Sequence, residues 1–256
     1  MPTAPERPAV LPLLQGFLAP AAELLVAAAT PPASPPTLVV GYGSTLTLAL
    51  LRERHPAGDY VLVEGLPPPF LKGLPPGHKA THGRSFPLPV RLPSLGGALH
   101  GLSFGDEGSD GGLIKESTRM LQSGAAFVGA FLLRGSFDAF FATARQVLQA
   151  GAPPGVTAGL AAAESQLRIP DELEQLGSRA GLAEISFAVE ERGIPFGSPR
   201  AFLEDPAVRW ILLRGIPAGP SRDEAVGRVG AGLVERLGDQ PLVARVVTVV
   251  MRGVRQ

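Results

Sequence analysis

The residues best placed for chemistry in this chain begin with two glycines. Gly41 and Gly43 stand in "TLVVGYGSTLTLALL", Thr37 to Leu51, between a β-branched apolar run and a run that suits a helix. Glycines at a strand-to-helix turn let the backbone come close to a ligand, and this outline suits a nucleotide. The same Gly-Tyr-Gly also reads simply as a turn. A dinucleotide loop asks for a further glycine five positions after Gly41, where Leu46 stands. Glu64 closes the next β-rich run, "YVLVE", 23 positions after Gly41. His100, in "ALHGLSF", has a side chain whose proton exchange falls near neutral pH, which suits a general base. It equally suits a strand histidine with one ring nitrogen bound to backbone. Asp106, Glu107 and Asp110 crowd the loop "GDEGSDGG", which reads either as a divalent-cation loop or as a flexible acidic one.

Other chemistries are excluded or disfavoured by count. The chain has no cysteine, so disulfides, thiolate metal sites and a cysteine nucleophile are ruled out. Its four histidines, His55, His78, His82 and His100, form no HExxH pair, which argues against zinc. No metal site is expected. The formal net charge of zero leaves no basic footprint for nucleic acid or for an anionic membrane.

These residues need a scaffold, and the pattern of the chain supplies one. The 256 residues are 45% hydrophobic and 18% charged, a balance that favours a buried core over disorder. Ala9 to Thr30 is apolar but carries Pro12, Gln15, Pro20 and Glu23 and lacks a basic head. It reads as a helix packed on the domain rather than as a signal peptide, and a cytoplasmic protein follows. "PPASPP", Pro31 to Pro36, is a stiff connector. Leu38 to Val40, Thr45 to Arg54 and Tyr60 to Glu64 then read as strand, helix, strand, the unit of a parallel sheet.

Gly65 to Pro93 holds eight prolines and reads as a long irregular loop, with a short strand near Phe86 to Leu92. Ala98 to Phe104 suits a strand, Leu113 to Gln122 a helix, and Ala125 to Leu133 a strand buried on both faces. Helices are expected over Phe137 to Ala150, over Pro170 to Ala180 with Gly181 closing it, and near Ser221 to Leu237. Ala183 to Glu191 and Ala244 to Met251 are the last strands. Trp210 falls in an apolar run and reads as packed or as lining a surface.

In this order the elements resemble the class I S-adenosylmethionine-dependent methyltransferases, and most closely the small-molecule branch. "LIKESTRMLQSGAAFVGAFLL", Leu113 to Leu133, is similar to that branch's "EaxRvLkpGG" signature, and "RIPDELEQLGSRAGLAEISFAVEE" to its "eel..ll..aGf..v.v" pattern. The resemblance covers roughly residues 10 to 252. It implies an α/β fold: a Rossmann-like, seven-stranded, mostly parallel sheet with helices on both faces and a final antiparallel strand. It further implies a single domain, 1–256. Within it lie an N-terminal helical segment (1–36), a core sheet (37–195), an insertion (196–242) and the last strand and tail (243–256).

The resemblance also implies cofactor positions. Gly41, Tyr42, Gly43 and Ser44 would form the loop against the methionine part of S-adenosylmethionine, and Glu64 would take both ribose hydroxyls. Val39 stands where the family has the acid that faces the cofactor's ammonium, and Thr45 where it has a third glycine. From Gly65 through Gly105 there is no Asp, Glu, Asn or Gln to read the adenine amino group. His100 is the one catalytic candidate. The expectation is therefore a methyltransferase-like protein with a degraded or lost cofactor site. Its expected role is a non-catalytic module that binds a protein partner or itself. The alternative is an active methyltransferase of a small molecule with an atypical pocket.

Overall fold

The computed structural model describes residues 18–32, 34–41, 44–64, 80–82, 95–102, 110–148, 151–213, 216 and 219–256. The chain gathers into two compact units. The sheet unit, among the described residues, comprises most of 18–134 together with 166–191 and 247–256. The helical unit, among the described residues, comprises most of 135–165 and 192–246.

The sheet unit opens with α1 (Ala19–Ala28), β1 (Thr37–Gly41), α2 (Ser44–Arg54) and β2 (Tyr60–Glu64). Next come β3 (Ala80–His82), β4 (Leu95–His100), α3 (Asp110–Met120), β5 (Leu121–Leu132) and α6 (Pro170–Arg179). The strands β6 (Leu182–Phe196) and β7 (Leu242–Arg255) run through residues of both units. Six strands of five or more residues and the three-residue β3 lie in the order β3-β2-β1-β4-β5-β7-β6. The pairs β2–β3, β1–β2, β1–β4 and β4–β5 are parallel, and β7 runs antiparallel to β5. The expected α/β, Rossmann-like fold is present, with a sheet that is mixed.

The residues explain these choices. Leu38 and Val40 point from β1 into a cluster with Phe127 and Phe131 of β5, Ile114 and Met120 of α3, Leu173 of α6 and Met251 of β7. Strands buried on both faces read as unbroken apolar runs, and β1 is buried at every position. Helix α6 starts with Pro170, whose missing N–H is no loss in a first turn, and carries Asp171 and Glu172 there. It is closed by Gly181 at a φ of +90°. After β5 the chain departs at Arg134 and returns through Arg168. The Arg134 N–H donates to the Arg168 carbonyl at 2.7 Å, and the Arg168 N–H to the Leu132 carbonyl at 3.1 Å.

The helical unit is built from α4 (Asp138–Leu148), α5 (Pro154–Ser165), α7 (Pro199–Glu204), α8 (Pro206–Leu213) and α9 (Pro220–Leu237). Four of these begin on proline. Ser198 caps α7 by accepting from the Ala201 N–H at 3.1 Å, and Asp205 caps α8 through Val208 at 3.0 Å. The Phe202 ring lies 5.1 Å from that of Phe196, 6.2 Å from Phe140 and 6.3 Å from Phe137. Helices α4 and α9 come together over Gly232, and Arg228 donates to the Val147 carbonyl at 2.7 Å. Trp210 lies in α8.

Several expectations differ from the structure. The proline-rich stretch was expected to be irregular throughout its middle, yet Ala80–His82 forms β3; three residues carry too little alternation to read. The strand expected near Phe86 to Leu92 lies outside the described residues. Strand β4 starts three residues earlier than expected, at Leu95, and stops at His100. Strand β6 runs on through Gly193 and Pro195, which read as breakers. It is an edge strand, where a missing backbone donor is tolerated. Helices α5, α7 and α8 had no counterpart in the sequence reading.

Candidate functional site

The site expected from the sequence lies at the carboxyl ends of the parallel strands, all within the sheet unit. The strand order reverses between β1 and β4, and in open α/β sheets ligands bind outside the carboxyl ends of the strands at such a reversal. Three last residues share one register row there: Gly41 of β1 pairs with Glu64 of β2, and Glu64 with His82 of β3. The sequence reading singled out the first two. His82 joins the row through β3, a strand too short for its register to show in the sequence.

Gly41 adopts a φ of +102°, a region that L side chains rarely enter. A Cβ there would meet the carbonyl oxygen of Gly101 at 2.8 Å, and the Gly101 N–H donates to the Val40 carbonyl at 2.7 Å. The glycine is therefore demanded by the close passage of the chain leaving β4, whatever it does for a ligand. Tyr42 and Gly43 lie outside the described residues. Ser44 opens α2 and is fully buried.

One step deeper in the sheet, Val39 pairs with Leu62 on one side and Leu99 on the other. All three are buried, with exposures of 0%, 1% and 3%. This row holds the position at which the resemblance asks for an acid facing the cofactor's ammonium, and it is apolar throughout. Val39 therefore offers no counter-charge to the cofactor's charged amino-acid end.

His100 ends β4, opposite Val40 and Gly129. Its ring is fully buried, edge-on to Phe131 at 5.6 Å and tilted against Phe127 at 6.3 Å. Gly129 makes this possible, since a Cβ there would come within 3.0 Å of both phenyl rings. The imidazole is packed in the aromatic interior rather than set against open space. Asp106 and Glu107 lie outside the described residues, and Asp110 opens α3. Among the described residues no group of three or more His, Asp or Glu could hold a metal ion, and no helix is long and apolar enough to cross a membrane.

No family model matches the chain, and no curated protein sequence does. Solved structures match over most of its length. The YcgJ protein of Bacillus subtilis is 14% identical over 92% of this chain and 98% of its own, with a TM-score of 0.55. A protein of Thermotoga maritima described as a possible histamine N-methyltransferase is 16% identical over 95% and 92%, with a TM-score of 0.51. A protein described as the putative methyltransferase in a complex with the Haloferax volcanii Trm112 methyltransferase activator is 15% identical over 94% and 91%, with a TM-score of 0.50. The fold of this chain is that of the class I S-adenosylmethionine-dependent methyltransferases.

Proposed function

We propose that this chain is a methyltransferase-like protein whose cofactor site is degraded and whose role is non-catalytic, as a protein-interaction or regulatory module. The observation that carries this reading is the buried row Leu99–Val39–Leu62, apolar where the cofactor's ammonium would need a counter-charge. The missing acids and amides between Gly65 and Gly105 add to it. Methyl transfer itself asks little of a protein, because the sulfonium of S-adenosylmethionine supplies the reactive group and the enzyme mainly aligns donor and acceptor. Affinity asks more. Two charge-assisted hydrogen-bond sites are each worth about 1.5–3 kcal/mol, so their loss removes about two to four decades of binding.

A protein partner or a second copy of the chain is what this reading requires, in the cytoplasm. The Haloferax complex supports it by analogy, as a case in which a protein of this fold is solved with a methyltransferase activator. We read the domain as one, with a core sheet and an insertion at 196–242.

An active methyltransferase of a small molecule is the second reading. It is favoured by the register that sets Glu64 beside Gly41 at the carboxyl edge. Titration calorimetry with S-adenosylmethionine and S-adenosylhomocysteine separates the two. The non-catalytic reading expects dissociation constants weaker than about 10 μM, a binding energy below about 7 kcal/mol. Tighter binding, or methyl transfer to any acceptor, overturns it. Sedimentation velocity of the purified chain reports whether a second copy is the partner.

A further inference from the structure

We infer that His100 is an acid-sensitive latch on the carboxyl end of β4, which releases the chain passing over Gly41 when its ring takes a proton. The imidazole is fully buried, and it belongs to the last residue of its strand. Its register row is Val40, His100, Gly129 and Met251, and the rings of Phe127 and Phe131 lie against it. Burial opposes the charged form of an imidazole. The neighbouring strands do not offset this, since β1, TLVVG, and β5, LQSGAAFVGAFL, contain no ionisable residue. The helices packed over the same core bring it Ile114, Met120 and Leu173. On α3, headed by Asp110, Lys115 and Arg119 are exposed and Glu116 is paired with Arg119. On α6, Asp171, Glu174 and Arg179 are exposed and Glu172 is paired with Arg134. On β7, Arg252 is exposed and Arg255 donates to the Arg119 carbonyl at 3.0 Å. Once in water the ring regains its ordinary pKa of about 6.5. The released form then binds a proton that the buried form refuses, so the latch holds above about pH 6.5 and weakens as pH falls below it. Position decides what is released. The Gly101 N–H donates to the Val40 carbonyl at 2.7 Å, and the Gly101 carbonyl oxygen stands 2.8 Å from where a Cβ of Gly41 would be. Fraying this end frees the ring without unfolding the cluster beneath it, and uncovers the carboxyl end of β1. The inference goes beyond both readings of function and holds under either.

Amide hydrogen exchange of the full chain tests it, read as protection factors so that the intrinsic pH dependence is removed. Protection of the Gly101 amide should fall by about thirtyfold between pH 7.5 and pH 5, close to tenfold per unit below the ordinary imidazole pKa. Amides in the middle of β5 should keep theirs, and His100→Leu should make Gly101 insensitive to pH over this range. The Cε1 shift of 13C-labelled His100 in the wild-type chain gives a second reading that needs no folded variant. It should stay at its neutral value while β5 is protected. Protection at Gly101 that does not change with pH overturns the inference, as does a fall that persists in His100→Leu. Equal loss at Gly101 and in β5 overturns it as well, because the whole sheet then answers to acid. A ring that titrates near its ordinary value inside the folded protein, or a response that Asp110→Asn alters, shows that the charge is accommodated inside and also overturns it.

Discussion

A methyl group added at Gly41 would have to displace backbone, since the nearest atom is the Gly101 carbonyl oxygen at 2.8 Å and the residue sits at a φ of +102°. Gly41→Ala should therefore lower stability by about 2–4 kcal/mol, combining left-handed strain with overpacking. Urea unfolding would show this as a fall in midpoint with unchanged slope. The size of that effect separates the structural duty of the glycine from any binding duty, because it needs no ligand present. At the far end of β2, Tyr60 donates its hydroxyl to the His55 carbonyl at 3.0 Å. Burial raises its phenol pKa above 10.0, against the opposing pull of Arg52. A group whose folded pKa is raised contributes stability below its unfolded pKa and loses it as pH climbs through the folded value. Stability should thus decline above about pH 10 from this residue. Tyr60→Phe should flatten that alkaline decline while costing about 1 kcal/mol near neutrality through the lost hydrogen bond. Denaturation curves at pH 8 to 11 would show either outcome.

Among the elements, the pair α4 and α9 gives a controlled comparison. A Cβ at Gly232 would meet Val147 Cγ2 at 2.5 Å and Thr143 Cγ2 at 3.0 Å, whereas one at Gly227 on the same helix would meet nothing within 4 Å. Alanine gains up to about 1 kcal/mol over glycine in a helix, while forcing atoms into a packed contact costs about 1–3 kcal/mol. Gly227→Ala should accordingly stabilise the protein and Gly232→Ala destabilise it, as read by their thermal midpoints. The same opposition explains what could be read in advance. Helix α6 was legible because Pro170, Asp171, Glu172 and Gly181 punctuate it, and α2, β2 and β7 because their runs are long or β-branched. Helices α7 and α8 were not, although Pro199 and Pro206 mark their first turns, because each is shorter than the window in which a helical period shows. At the site, Gly41 and Glu64 were legible from spacing. The row that joins them to His82 is a property of pairing between strands, which no local pattern carries.

For the molecule as a whole, the consequential feature is that each unit has its own buried residues while neither is continuous in sequence. The excursion after β5 starts and ends on hydrogen-bonded neighbours, Arg134 and Arg168, and the second excursion joins β6 to β7, which lie side by side. Replacing 136–165 and 197–241 by short turns should then leave a sheet unit that unfolds cooperatively. Its urea slope should shrink in line with the smaller buried surface. Closing a shorter loop between ends already in place costs little entropy. A product without a cooperative transition would show that the sheet needs the excursions in order to fold.

Strand β6 has a consequence for life at high concentration. It forms one border of the sheet for 15 residues, most of them at least partly exposed. Such a border invites aggregation by strand addition. Here it carries Glu184 at a φ of +52°, the charges of Glu190, Glu191 and Arg192, and Pro195, which has no N–H to offer. Each of these obstructs a second strand, and together they guard the chain against growing into fibrils from that side. A screen for a partner should therefore not begin with extended peptides laid along this border.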